Sequence, residues 1–141
     1  MKLLLRLRRL VSTLASVICC LSMSYCSGGG SPAISAAEGF LDAHYVRIDL
    51  VSAKGYCRGL ARSRIDEEIR LTEGRQIDSA AGRPRVYYRL LEESLRGPSV
   101  VSLRYRLDLD VVGVGRLEKS VLLTLREGEE GWRVVNFREY D

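Results

Sequence analysis

Between residues 101 and 111 apolar and polar side chains alternate without a break. Val101, Leu103, Tyr105, Leu107, Leu109 and Val111 are separated by Ser102, Arg104, Arg106, Asp108 and Asp110. A period of two sustained over that run predicts a long strand with one buried and one wet face. Before it, Arg85–Leu95 reads as a strand rich in Val and Tyr, ended by Gly97-Pro98. After it, Gly113-Val114-Gly115 leads into Arg116–Arg126, and Glu127-Gly128-Glu129-Glu130-Gly131 leads into Trp132–Tyr140. Short Gly-containing turns join antiparallel neighbours, so the second half is expected to be a four-stranded meander. Strands this long coil strongly, which leaves a concave side to be covered.

The first half supplies the cover. Ser35-Ala36-Ala37-Glu38 fits a capping box, with Ser35 at the N-cap, opening a helix with Ala37, Phe40, Leu41, His44 and Ile48 at helical spacing. Asp49 can cap a second helix, Leu50 to Arg58, closed by Gly59 as a left-handed C-cap. A third, Leu60–Glu73, puts Ala61, Ile65, Ile69 and Thr72 on one face, pairs Asp66 with Arg70, and ends at Gly74. The expected fold class is therefore α+β: three N-terminal helices packed on a strongly curved four-stranded antiparallel meander sheet.

The N-terminus follows a different pattern. Lys2, Arg6, Arg8 and Arg9 precede the uncharged stretch Leu10–Tyr25, then Cys26 and Ser27-Gly28-Gly29-Gly30-Ser31. A basic segment, an apolar segment and then small polar residues make an export signal. The apolar stretch is shorter than the roughly 20 residues a membrane span needs. Cys26 followed by small residues resembles the start of a bacterial lipoprotein, in which that cysteine is lipidated. Tyr25 departs from the small residue usual before it. The division expected is a signal over 1–26, a Gly/Ser tether over 27–34 and a folded domain over 35–141. The location expected is the cell envelope, lipid-anchored in the periplasm or at the membrane surface, with a soluble secreted or periplasmic form as the alternative.

Removing the leader changes the charge. Its four cations leave 18 basic residues against 18 acidic ones, so the basic balance of the whole chain belongs to targeting and argues for no nucleic-acid partner. Cys57 becomes the one thiol of the domain and reads as a small buried residue on a helix.

Three helices followed by a curved meander resemble the nuclear transport factor two-like superfamily, a cone-shaped α+β fold also called cystatin-like. The residues that carry the resemblance are Phe40-Leu41-x-Ala43 with Asp49, Ala53-x-x-Tyr56-Cys57, and the closing Gly131-Trp132-Arg133-Val134-Val135-Asn136-Phe137. The resemblance implies that any chemistry sits inside the cone, where an Asp or His base works with a Tyr or Asp donor in an apolar cavity. Candidates are His44 and Asp49 as base and Tyr88 as donor, with Tyr45, Tyr87 and Tyr105 nearby in kind. His44 is the only histidine, so no histidine pair can hold a metal, and no cofactor motif is visible. The function expected is a non-catalytic envelope module that binds a small apolar ligand or another envelope protein, its membrane contact being the lipid. A small isomerase or dehydratase using His44 or Asp49 is the alternative, and a homodimer through the sheet is a further expectation.

Overall fold

The computed structural model describes residues 30–73 and 83–141. The leader, Cys26, residues 27–29 of the tether and Gly74 lie outside the described residues. Three α-helices precede four strands: α1 Pro32–Leu41, α2 Leu50–Gly55, α3 Gly59–Thr72, β1 Arg85–Leu95, β2 Val100–Val111, β3 Gly115–Gly128 and β4 Gly131–Tyr140. The strands form one antiparallel sheet in the order β1-β2-β3-β4, the meander expected.

Alternation sorts the sheet into two faces. Val101, Leu103, Tyr105 and Leu107 of β2 are buried, as are Val121, Leu123 and Leu125 of β3 and Val134 and Phe137 of β4. Ala37, Phe40 and Leu41 of α1, Ala53 of α2 and Ala61 and Ile65 of α3 close over them as a single core. Each large buried side chain contributes about 1.5–3 kcal/mol relative to remaining exposed. Register shifts between Leu90 and Glu92 and between Thr124 and Leu125 interrupt the ladder and bend the sheet. The sheet is curved and open.

The helices begin and end differently from the periodic expectation. α1 starts at Pro32, with Ser31 as N-cap accepting from the Ile34 amide at 3.3 Å, so Ser35 is inside the helix. Proline at the first helical position is pre-set for that start. Beyond Leu41 the chain widens to a π-helical turn, Asp42–Val46, in place of a continued α-helix to Ile48. The Arg47 amide reaches Asp42 O at 2.9 Å and the Asp49 amide reaches Ala43 O at 2.8 Å. Ile48 then takes φ +53, a left-handed conformation that costs a branched side chain about 1–2 kcal/mol.

α2 is shorter than expected because Tyr56–Arg58 leave the helix to meet β4. The Arg58 amide donates to Val134 O at 2.8 Å and the Val134 amide to Tyr56 O at 2.9 Å. Gly59, at φ +52, opens α3 rather than closing α2. Arg70 pairs with Glu67, while Asp66 pairs with Lys54 of α2 and ties the two helices together. Gly39 in α1 has no side chain because Tyr56 fills the space: a methyl there would lie 2.6 Å from Tyr56 Cζ.

Candidate functional site

Among the described residues the interior of the cone is packed. Phe40, Leu41, Tyr105 and Leu107 are fully buried where α1 crosses the sheet. Phe40 meets Phe137 with ring centroids 5.2 Å apart, and Tyr88 meets Tyr105 edge-on at 6.1 Å. The Tyr105 hydroxyl is buried with no hydrogen-bond partner. Burial first, then the Glu38 carboxylate, raises its pKa. Tyr88 is half-buried at the rim of the same cluster and is raised for the same leading reason. Aromatic rings thus fill this part of the cone.

His44 lies on the π turn, where the widened backbone presents His44 and Tyr45 together to the seam between α3 and β4. His44 Nε2 and Glu68 Oε2 are 2.7 Å apart, and the imidazole stacks on Phe40 at 5.3 Å. The other ring nitrogen, Nδ1, is buried with no hydrogen-bond partner. The Tyr45 hydroxyl donates to Glu139 Oε1 at 2.7 Å, and Lys119 Nζ lies 3.3 Å from the other oxygen of Glu139. Burial foremost, then the bond to Glu139, pushes the Tyr45 hydroxyl pKa far up. Arg64 completes the seam, donating to Phe137 O at 2.5 Å with its guanidinium 5.6 Å from the Phe137 ring centre.

This seam borders an open hollow of about 410 Å³ lined by Arg64, Glu67, Glu68, Phe137, Arg138 and Glu139. The imidazole itself is only 10% exposed, and its one polar contact is the Glu68 carboxylate. The arrangement fastens the π turn to α3 and β4. A base for proton abstraction needs a lone pair aimed at open space. Nδ1 faces packed side chains instead.

Asp49 is placed elsewhere. It caps α2, accepting from the Ser52 amide at 3.0 Å and the Ser52 hydroxyl at 2.5 Å. Those bonds hold its carboxyl below the usual range. A shallow, open hollow of about 390 Å³ lies beside it, and no tyrosine lines that hollow. The structure therefore brings Tyr45 to His44 and leaves Asp49 and Tyr88 apart from both. Glu68 and Glu139, the partners that define the seam, have no signature in the sequence, because each is far along the chain from the residue it meets. Tyr87, on the outer face of β1, is exposed. Among the described residues no cluster of three or more metal-binding side chains occurs.

No protein-family model and no curated protein matches the chain. Solved structures do. An NTF-2-like protein of unknown function from Shewanella oneidensis superposes with a TM-score of 0.59 at 10% identity, covering 78% of this chain and 97% of that one. A domain of unknown function with a cystatin-like fold from Nostoc punctiforme gives 0.58 at 11% identity, with 79% and 78% covered. A ketosteroid isomerase-like protein from Erwinia carotovora gives 0.54 at 14% identity, with 76% and 91% covered. At such identities the likeness establishes architecture: this chain has the nuclear transport factor two-like cone fold. Function must be argued from its own residues.

Proposed function

We propose that the protein is a binding module of the cell envelope, exported on residues 1–26 and held at the membrane by a lipid on Cys26. It works through its surface and not through chemistry in an enclosed cavity. The observation that carries this reading is the filled cone. Phe40, Leu41, Tyr105 and Leu107 take the volume in which a buried base would need its substrate. His44 and Asp49 are each engaged, by Glu68 and by Ser52.

The leader supports the location, since cations, an apolar stretch, a cysteine and a Gly/Ser run occur in the order that export and lipidation use. Few residues separate Cys26 from the Ser31 cap of α1, so a lipidated chain keeps its domain close to the bilayer surface. No described helix is long and apolar enough to cross a membrane. An envelope protein is the partner this arrangement reaches most readily. A second copy docked through the outer sheet face is disfavoured there, because arginines such as Arg126 and Arg133 would meet their own like charges.

Cys26→Ala tests the anchor. The variant is expected to leave the membrane fraction and to lose incorporation of a labelled fatty acid. Continued membrane association with no label in the unaltered chain would contradict lipidation.

A further inference from the structure

We infer that the outer face of the sheet carries a binding trough for an anionic oligosaccharide, one whose sugar units bear carboxylates. The inference rests on the reading of the chain as a binding module and is independent of the lipid anchor.

Each strand carries the same short string, which in β1 runs one residue past the strand's end: a small hydrogen-bonding residue, an apolar residue, then arginine. The four are Ser94-Leu95-Arg96, Ser102-Leu103-Arg104, Thr124-Leu125-Arg126 and Asn136-Phe137-Arg138. Register turns this repeat into a surface. Ser94 pairs with Ser102, Ser102 with Thr124 and Thr124 with Asn136, so the four small polar residues form one row straight across the sheet. Because neighbouring strands run in opposite directions, their arginines fall alternately on the two sides of the row. Arg96 and Arg126 flank one side, joined by Arg133, which pairs with Arg126. Arg104 and Arg138 flank the other, each opposite Leu122.

The row lies below its flanks. Ser102 is buried and Ser94, Thr124 and Asn136 are half-buried, whereas Arg96, Arg104, Arg126 and Arg138 are exposed. On the Arg104 side of the row lies a depression of about 350 Å³ that includes Ser94, Ser102 and Arg104, with Glu92, Leu122 and Tyr140 also lining it. Among the described residues only Arg104 of these five arginines has a carboxylate partner, Glu92. Arg126 and Arg133 are register partners on neighbouring strands, and like charges so placed cost stability unless an anion lies between them; Arg133 Nη1 also donates to Trp132 O at 3.0 Å. Asn136 Oδ1, at the β4 end of the row, is buried with no hydrogen-bond partner.

The chemistry of the recess selects the ligand class. Three hydroxyls and an amide along the floor offer donors and acceptors at short range, which sugar hydroxyls satisfy. Guanidiniums on both banks offer paired donors to carboxylates. A flat bilayer surface would rest on the arginines without reaching the floor. A peptide strand would seek an open edge for its backbone, and this floor is mid-sheet with its backbone bonds already made. Single-stranded nucleic acid stacks on successive aromatic rings; the row has none and the depression beside it has one, Tyr140. The balanced charge of the domain does not oppose the inference: the trough depends on where the arginines stand, not on how many acids stand elsewhere.

The test uses the full chain in detergent, titrated with a trimer of galacturonic acid. Binding is expected, to be abolished when the trimer's carboxylates are methyl esters. Arg126→Gln with Arg133→Gln is expected to weaken it about tenfold or more, since each contact is charge-assisted. Arg85→Gln with Arg116→Gln removes equal charge from the other end of the same face and should leave binding unchanged. Thr124→Val should weaken the trimer severalfold yet leave any binding of polyglutamate as it was. Absence of trimer binding overturns the inference, as does equal loss in the two arginine pairs. Tighter binding of polyglutamate or of phosphatidylglycerol vesicles than of the trimer overturns it too. Cofractionation of the chain with membranes does not enter any of these readouts, so failure of the anchor and failure of the trough are separable.

Discussion

The two faces of β2 differ by one step along the chain and by everything else. Facing the helices, Val101, Leu103, Tyr105 and Leu107 are fully or almost fully buried. Facing away, Arg104 and Arg106 enter ion pairs with Glu92, Asp108 and Glu118 around the recessed Ser102. The inner face is what makes the chain fold, and its volume is spent on packing. The outer face contributes little to folding and so is free to be shaped by binding. On the reading proposed above, a filled interior leaves the outer face for binding.

Substitutions on the two faces should separate stability from binding. Phe40→Ala removes a fully buried ring that touches His44, Tyr45 and Phe137, and should lower unfolding free energy by about 3–5 kcal/mol in a denaturant titration. A loss under about 1 kcal/mol would mean the interior is loosely filled, which would reopen it to ligands.

Alkali attacks the same core. Burial, more than the nearby Glu68, raises the Cys57 thiol from 9.0 to about 12, and Tyr45 is raised as well. Raised acids confer stability that is complete below their unfolded pKa and is lost as pH climbs through the folded one. The domain should therefore weaken between about pH 9 and 12, with thiol alkylation at pH 9 slowed by about five hundredfold relative to the unfolded chain. Rapid alkylation of the native chain at that pH would contradict the packing of Cys57 against α3 and β4.

Tyr105→Phe is a smaller and sharper probe. Its hydroxyl has no partner, so deleting the oxygen should raise stability by about 1 kcal/mol. A fall of similar size would show that the hydroxyl is satisfied by a bound molecule inside the cone. The least effect is expected outside: Arg133→Glu converts an opposed Arg126–Arg133 pair into an attractive one and should stabilise by about 0.2–1 kcal/mol while abolishing trimer binding. A variant that lost binding and stability together would blur the division between the faces.

Most of the sheet was legible in the sequence, because alternation encodes both strand and face, and Gly-containing turns encode antiparallel succession. The helical half was legible only in outline. Ser31 and Ser35 both offer a capping hydroxyl, and Pro32 decides between them. A π turn leaves no periodic mark, so His44 was expected on a continuous helix and stands instead on a widened one beside Tyr45. Gly59 satisfies a left-handed turn at the junction, and that turn can end one helix or begin the next. The polar–apolar–arginine repeat is visible in the sequence once sought. Its meaning depends on register, which alone shows that Ser94, Ser102, Thr124 and Asn136 stand in line.

Backbone and side-chain resonances followed during titration with the galacturonate trimer would decide between the faces. The account predicts shifts centred on Ser102, Thr124, Arg126, Arg133 and Asn136, with His44 and Tyr105 unmoved. Shifts centred on Phe40, His44 and Tyr105 would place the ligand within the cone and contradict it.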